Sequence, residues 1–125
     1  MQKKIYYHHT DCGGVVYYGK YLEFLEEART EFLAERGVLI KELAEQGILF
    51  VVVRQEIDYK MPAFYADILR IETQITNISK VSMEFSCLLK NQNDKIISQA
   101  KTILACVDKN LKPKPIPTEI RSKIS

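Results

Sequence analysis

The chain has 125 residues, 46% of them hydrophobic and 27% charged, with a formal net charge of +2. That length supports one substantial core but not two, and a charge so near neutral gives no case for nucleic acid as a partner. No apolar run approaches the roughly 20 residues of a membrane-spanning helix, so no membrane insertion is expected.

The start, "MQKKIYYHH", has basic residues but none of the apolar stretch, roughly 7–15 residues long, that a secretory signal contains. Cys12, Cys87 and Cys106 are odd in number and far apart, which fits a reducing cytoplasm better than a disulfide framework. A cytoplasmic location is therefore expected.

Residues 3–10 are short, apolar and rich in tyrosine, and predict a first strand. Gly13 and Gly14 interrupt it. From Tyr21 the pattern turns helical: Tyr21, Leu25, Ala28 and Phe32 recur at helical spacing, Leu22 and Phe24 widen the stripe, and Glu23, Glu27, Glu31 and Glu35 lie opposite. Gly37 is a suitable C-cap. "VLIKELAEQG" predicts a second, short helix ended by Gly47.

Beyond it the period becomes two. In "ILFVVVRQEIDYK", Val51, Val53, Ile57 and Tyr59 alternate with Val52, Arg54, Glu56 and Asp58. "DILRIETQITNI" and "VSMEFSCLLK" alternate in the same way, and "KIISQAKTILACV" is the last and most apolar strand. The tail, 108–125, holds three of the four prolines and five basic residues, and reads as extended over the surface.

Strand, long helix, short helix, then four strands imply an α+β antiparallel sheet, curled around the long helix to bury both apolar faces. Sheet edges left bare invite pairing, so a dimer joined edge to edge is expected.

"YYHHTDCGGVVYYGKYLEFLEEART", residues 6–30, resembles the signature of hotdog-fold acyl-CoA thioesterases of the 4-hydroxybenzoyl-CoA thioesterase type, closest to the bacterial subgroup associated with the Tol–Pal system. "FVVVRQEIDYKMPAFYADILRIET" and "CVDKNLKPKPIP" follow in the same order. The resemblance implies a hotdog fold: residues 1–125 form one domain, one long helix wrapped by a curved antiparallel five-stranded sheet. It implies dimers, often paired into tetramers, with acyl-CoA at the subunit interface, and no cofactor. The family's catalytic aspartate falls on Asp11, and its carbonyl-polarising backbone N–H falls on Tyr18. Two departures stand out. The subgroup usually carries two carboxylates where this chain has His8 and His9, and often a histidine where it has Tyr18.

These residue types suit thioester hydrolysis. The leaving thiolate, whose thiol has a pKa of ~8.5, needs no strong general acid. What remains is to deliver oxygen to the carbonyl and to stabilise the oxyanion. A helix N-terminus offers donor N–H groups and roughly half a positive charge. Gly13, Gly14 and Gly19 allow close approach of the backbone. Asp11 can activate water or attack directly.

Asp11 would otherwise form an Asx turn or a cap. Cys12 is expected to pack as a small residue. Glu26 is expected to pair with Arg29. Tyr7 either lines the pocket near Asp11 or packs in the core. His8 and His9, neighbours in a strand, would point to opposite faces, so no metal site is expected, and His9 is assigned near the pocket. Arg54, Lys60, Lys80 and the tail lysines are candidates for the CoA phosphates. A hydratase is disfavoured, because no Asp-x-Asn-Pro-x-x-x-His stretch is present. A non-catalytic acyl-CoA or protein-binding module is the other alternative.

Overall fold

A computed structural model describes residues 1–125. Five strands, β1 (Gln2–Lys4), β2 (Leu49–Tyr59), β3 (Ile68–Ile78), β4 (Ser82–Lys90) and β5 (Ile96–Val107), form one antiparallel sheet in the order β1-β3-β4-β5-β2. Three helices accompany it: α1 (Lys20–Glu35), α2 (Ile40–Glu45) and α3 (Thr118–Ile124). Bulges at Val53 in β2, Thr76 in β3 and Ile97 in β5 each add an unpaired residue. Such bulges sharpen twist, and the sheet curls into a half-barrel.

α1 lies against the concave face. Tyr21, Phe24, Leu25 and Ala28 share a core with Leu69 and Ile71 of β3, Cys87 and Leu89 of β4, and Ile97 and Ala100 of β5. Leu33 joins a second cluster with Met83, Phe85, Leu104 and Cys106. Each fully buried Leu or Phe here stabilises the fold by about 1.5–3 kcal/mol. Between the clusters lies a polar tie. Arg29, only 7% exposed, donates to Thr102 Oγ1 at 3.4 Å, and Thr102 donates to Gln55 Oε1 on β2 at 2.7 Å.

The strand expected over 3–10 stops at Lys4; Tyr7–His9 form a 3-10 turn instead. His8 and His9 therefore do not point to opposite faces, and their ring centroids are 4.0 Å apart. Leu22 is exposed despite lying in the apolar stripe.

In β2 the bulge reverses the side-chain parity. Phe50 pairs with Cys106 and Ile57 with Ala100, both core residues, so Val51 and Val53 do not share a face with Ile57. The tail is not merely extended. Residues 118–124 form α3, which seats Ile120 and Ile124 beside Ile116 in the second cluster. Arg121 Nη2 fastens it by donating to the Ser79 carbonyl at 2.7 Å. Arg29 has no carboxylate partner; Glu26 instead accepts from Thr30 Oγ1 at 3.4 Å.

Candidate active site

Between β1 and α1 the chain makes a tight hairpin. Thr10 bridges Val16, and the Asp11 N–H donates to the Val15 carbonyl at 2.9 Å. At the tip the Gly14 N–H donates to the Asp11 carbonyl at 3.0 Å, and the Gly13 N–H donates to Asp11 Oδ1 at 2.8 Å. Asp11 thus does form the Asx turn that a bare reading predicts. Gly14 has φ +80°, a backbone state that favours glycine. The Val16 N–H, donating to the Ala63 carbonyl at 2.8 Å, and a Val15–Phe64 bridge seat the hairpin on the β2–β3 connection. Asp11 is exposed, and its Oδ2 has no partner within the chain.

The return arm feeds α1. The Tyr17 N–H donates to the His9 carbonyl at 3.0 Å, and the helix begins with the Lys20 N–H on the Tyr17 carbonyl at 2.9 Å. Between them the N–H groups of Tyr18 and Gly19 have no acceptor in the chain, and Tyr18 is 64% exposed. Free donors at a helix start, on the positive end of its dipole, suit an oxygen that gains negative charge.

Beside these amides is a cleft of about 270 Å³ lined by Val16, Tyr18, Tyr21, Tyr59, Lys60, Met61 and Pro62. Tyr59 Oη donates to the Tyr18 carbonyl at 3.3 Å, which orients the peptide unit that carries the Gly19 N–H. The Tyr59 ring meets Tyr18 and Tyr21 edge-on, with centroids at 6.4 and 5.4 Å. Burial pushes the phenols of Tyr21 and Tyr59 upward in pKa, so both remain protonated donors.

Among the sequence candidates, Tyr18 and Lys60 line this cleft, Gly19 caps α1, and Asp11, Gly13 and Gly14 form the hairpin tip, outside the cleft lining. Tyr7 is not a core aromatic; it is 77% exposed, its ring edge-on to Tyr65 at 5.7 Å. Cys12 is exposed, not packed. His9 is buried under the hairpin, with Nδ1 accepting the Tyr6 N–H at 2.9 Å and its ring edge-on to Phe24 at 5.2 Å. Desolvation, then the neighbouring His8, Lys3 and Lys20, lower its pKa, against a weaker opposing pull from Glu23.

Arg54 lies at the β2 bulge, ion-paired with Glu56. Lys80 sits in the turn after β3, at the end remote from Phe64 and the hairpin, with roughly 35 Å of strand between. Neither joins Asp11 within one chain. Tyr21, Tyr59, Met61 and Pro62 line the cleft without a motif to mark them; their one signal is a tyrosine and a proline where a strand ends.

Clefts of about 280 and 330 Å³ lie elsewhere, one along the second half of α1 beside Ile71 and Thr73, the other on the outer face of the sheet around Glu56, Ser86 and Gln99. Both are as large as the cleft at the helix mouth, but neither lies at the start of a helix with free amides.

A half-barrel on a helix, with an aspartate hairpin beside free amides, defines a class that comparison makes definite. The thioesterase-like superfamily matches residues 7–124, and the chain belongs to it. It is a thioesterase. It is 37% identical over 121 residues to the acyl-CoA thioesterase YbgC of Haemophilus influenzae, covering 95% of this chain and 88% of that one. It is 35% identical over 118 residues to the acyl-CoA thioester hydrolase YbgC of Escherichia coli, covering 94% and 88%. A solved structure of a hypothetical protein from Aquifex aeolicus superimposes with a TM-score of 0.94 at 26% identity, covering 100% and 98%.

Proposed function

We propose that the chain hydrolyses acyl-CoA thioesters to the free acid and CoA. In this reading Asp11 serves as base or nucleophile, and the backbone N–H of Tyr18 polarises the carbonyl. The observation that carries it is the pair of free amides, Tyr18 and Gly19, at the start of α1, where Tyr18 lines an apolar cleft.

Asp11 and Tyr18 stand on opposite arms of the hairpin, joined by the Thr10–Val16 bridge and by the Tyr17 N–H on the His9 carbonyl. With the carbonyl oxygen on the amides, Asp11 either takes a proton from water as it attacks, or attacks itself to give a mixed anhydride that water then opens. Both routes add water across the C–S bond: the acyl carbon gains oxygen and the sulfur leaves as thiolate. Removing one oxyanion donor typically costs ~10²–10³-fold, so the carbonyl site carries much of the rate.

Lys60 suits a CoA phosphate near the cleft. Arg54 and Lys80 enter only through a second subunit. Self-association is supported by β2, an 11-residue edge strand, and by the exposed Tyr7, Tyr17, Tyr18, Phe64 and Tyr65 near the hairpin. We read the protein as a dimer, paired into a tetramer, with residues 1–125 acting as one cytoplasmic domain and no cofactor in the reaction. The motif over residues 6–30 supports a reading within the Tol–Pal-associated subgroup.

A panel of short aliphatic, long aliphatic and aromatic acyl-CoA thioesters, assayed with a thiol-reactive reagent, tests the reading. Turnover of at least one is expected. Binding of CoA without turnover of any would mark a binding module instead.

A further inference from the structure

We propose that His9 is a positioning residue: its neutral Nδ1 holds the turn that carries Asp11, and protonation of that ring releases the hairpin and stops hydrolysis. The proposal rests on the role of Asp11 argued above.

His9 sits two residues before Asp11 and ties the hairpin on two sides. The residue is 6% exposed, and its ring accepts the Tyr6 N–H at 2.9 Å and so closes the Tyr7–His9 turn. Its carbonyl accepts the Tyr17 N–H at 3.0 Å, one residue before the free amide of Tyr18. One residue therefore sets both the arm that leads to Asp11 and the arm that leads to the helix mouth.

The Tyr6 contact works in one protonation state only. A neutral imidazole can accept at Nδ1 while it carries its proton on Nε2; an imidazolium donates from both nitrogens. Protonated, Nδ1–H would face the Tyr6 N–H, donor against donor, in a buried site. The surroundings oppose that charge. His8 of the same turn, Lys3 of β1 and Lys20 of α1 disfavour charge on the ring, Glu23 of α1 is the one carboxylate favouring it, and Tyr6 and Phe24 supply aromatic faces. Desolvation adds to their effect and holds the ring below the ordinary histidine value. Activity is thus protected at neutral pH and lost on the acid side.

Two substitutions separate this role from simple packing. Asparagine places Oδ1 where histidine has Nδ1, so His9→Asn keeps the acceptor and cannot titrate. Glutamine carries its amide one carbon further out, so His9→Gln loses it. His9→Asn is expected to retain kcat at pH 8 to within about threefold and to lose the acid limb governed by this ring. His9→Gln is expected to lose about 10- to 100-fold in kcat at every pH, with little change in KM, as misplaced catalytic groups do.

Equal rates for the two variants, or an unaltered acid limb in His9→Asn, would overturn the proposal. In the wild-type protein, ¹⁵N NMR decides independently of activity. The amides of Gly13 and Gly14 should shift with the titration of the His9 ring; if the ring titrates while they stay still, the ring does not hold the hairpin. Failure of the Asp11 role is distinguishable, because Asp11→Asn would then turn over normally whatever the His9 variants do.

Discussion

The Gly13 amide donates to Asp11 Oδ1 at 2.8 Å, and a Cβ at position 13 would stand 3.2 Å from that same oxygen. One small residue thus aims the carboxylate and leaves it room. Gly13→Ala is expected to push Asp11 aside and lower kcat by about 10- to 100-fold with little change in melting temperature. Gly14→Ala differs: at φ +80° it strains the backbone and should cost about 1–2 kcal/mol in urea denaturation.

Tyr59 holds the Tyr18 carbonyl through its hydroxyl at 3.3 Å. Tyr59→Phe keeps the ring and removes the donor, worth about 1 kcal/mol, so kcat should fall about fivefold. Tyr59→Ala also opens the cleft and should raise KM. Steady-state kinetics on both variants separates the two effects.

The state of His9 also bears on folding. Its folded pKa lies below its unfolded value of about 6.5, so between the two the unfolded chain binds more protons. The contribution of the neutral ring is complete above pH 6.5 and declines as pH falls toward the folded pKa. Urea midpoints measured from pH 7.5 to 5 should fall more steeply for the wild type than for His9→Asn.

The Arg29–Thr102–Gln55 tie buries a guanidinium without a carboxylate. Thr102→Val leaves both partners unsatisfied and should cost about 1–3 kcal/mol. Arg29→Met removes the charge with the bond, so its cost should be smaller. Chemical denaturation of the two variants orders them.

α3 closes the second cluster. Ile120→Ala should cost about 2–5 kcal/mol, as buried Ile→Ala changes do, whereas a loose tail would make it neutral. Calorimetry gives the answer.

Much of this architecture is legible in the chain. β3, β4 and β5 fall within a residue of their alternating patterns, because each has one buried face and polar residues that fix its parity. β2 is legible as a strand but not in its faces: three consecutive valines give no polar mark to locate the bulge at Val53. In the tail, Ile116, Ile120 and Ile124 repeat every four residues, a helical signal masked by Pro113, Pro115 and Pro117. At the site, the Asx turn of Asp11 is legible from an aspartate beside glycines, while Asp11 and Tyr18 become site candidates only through the family resemblance of residues 6–30. The Nδ1 bond of His9 and the hydroxyl bond of Tyr59 are not legible, since each depends on a backbone group whose place only the folded chain settles.

The role of Asp11 is tested most directly by Asp11→Asn, which keeps the size and the acceptor for the Gly13 amide and removes the charge. With the acyl-CoA that the wild type cleaves best, thiol release at saturation should fall by about 10²–10⁴-fold while circular dichroism and oligomeric state stay unchanged. Near-normal release from a folded Asp11→Asn protein would contradict the account.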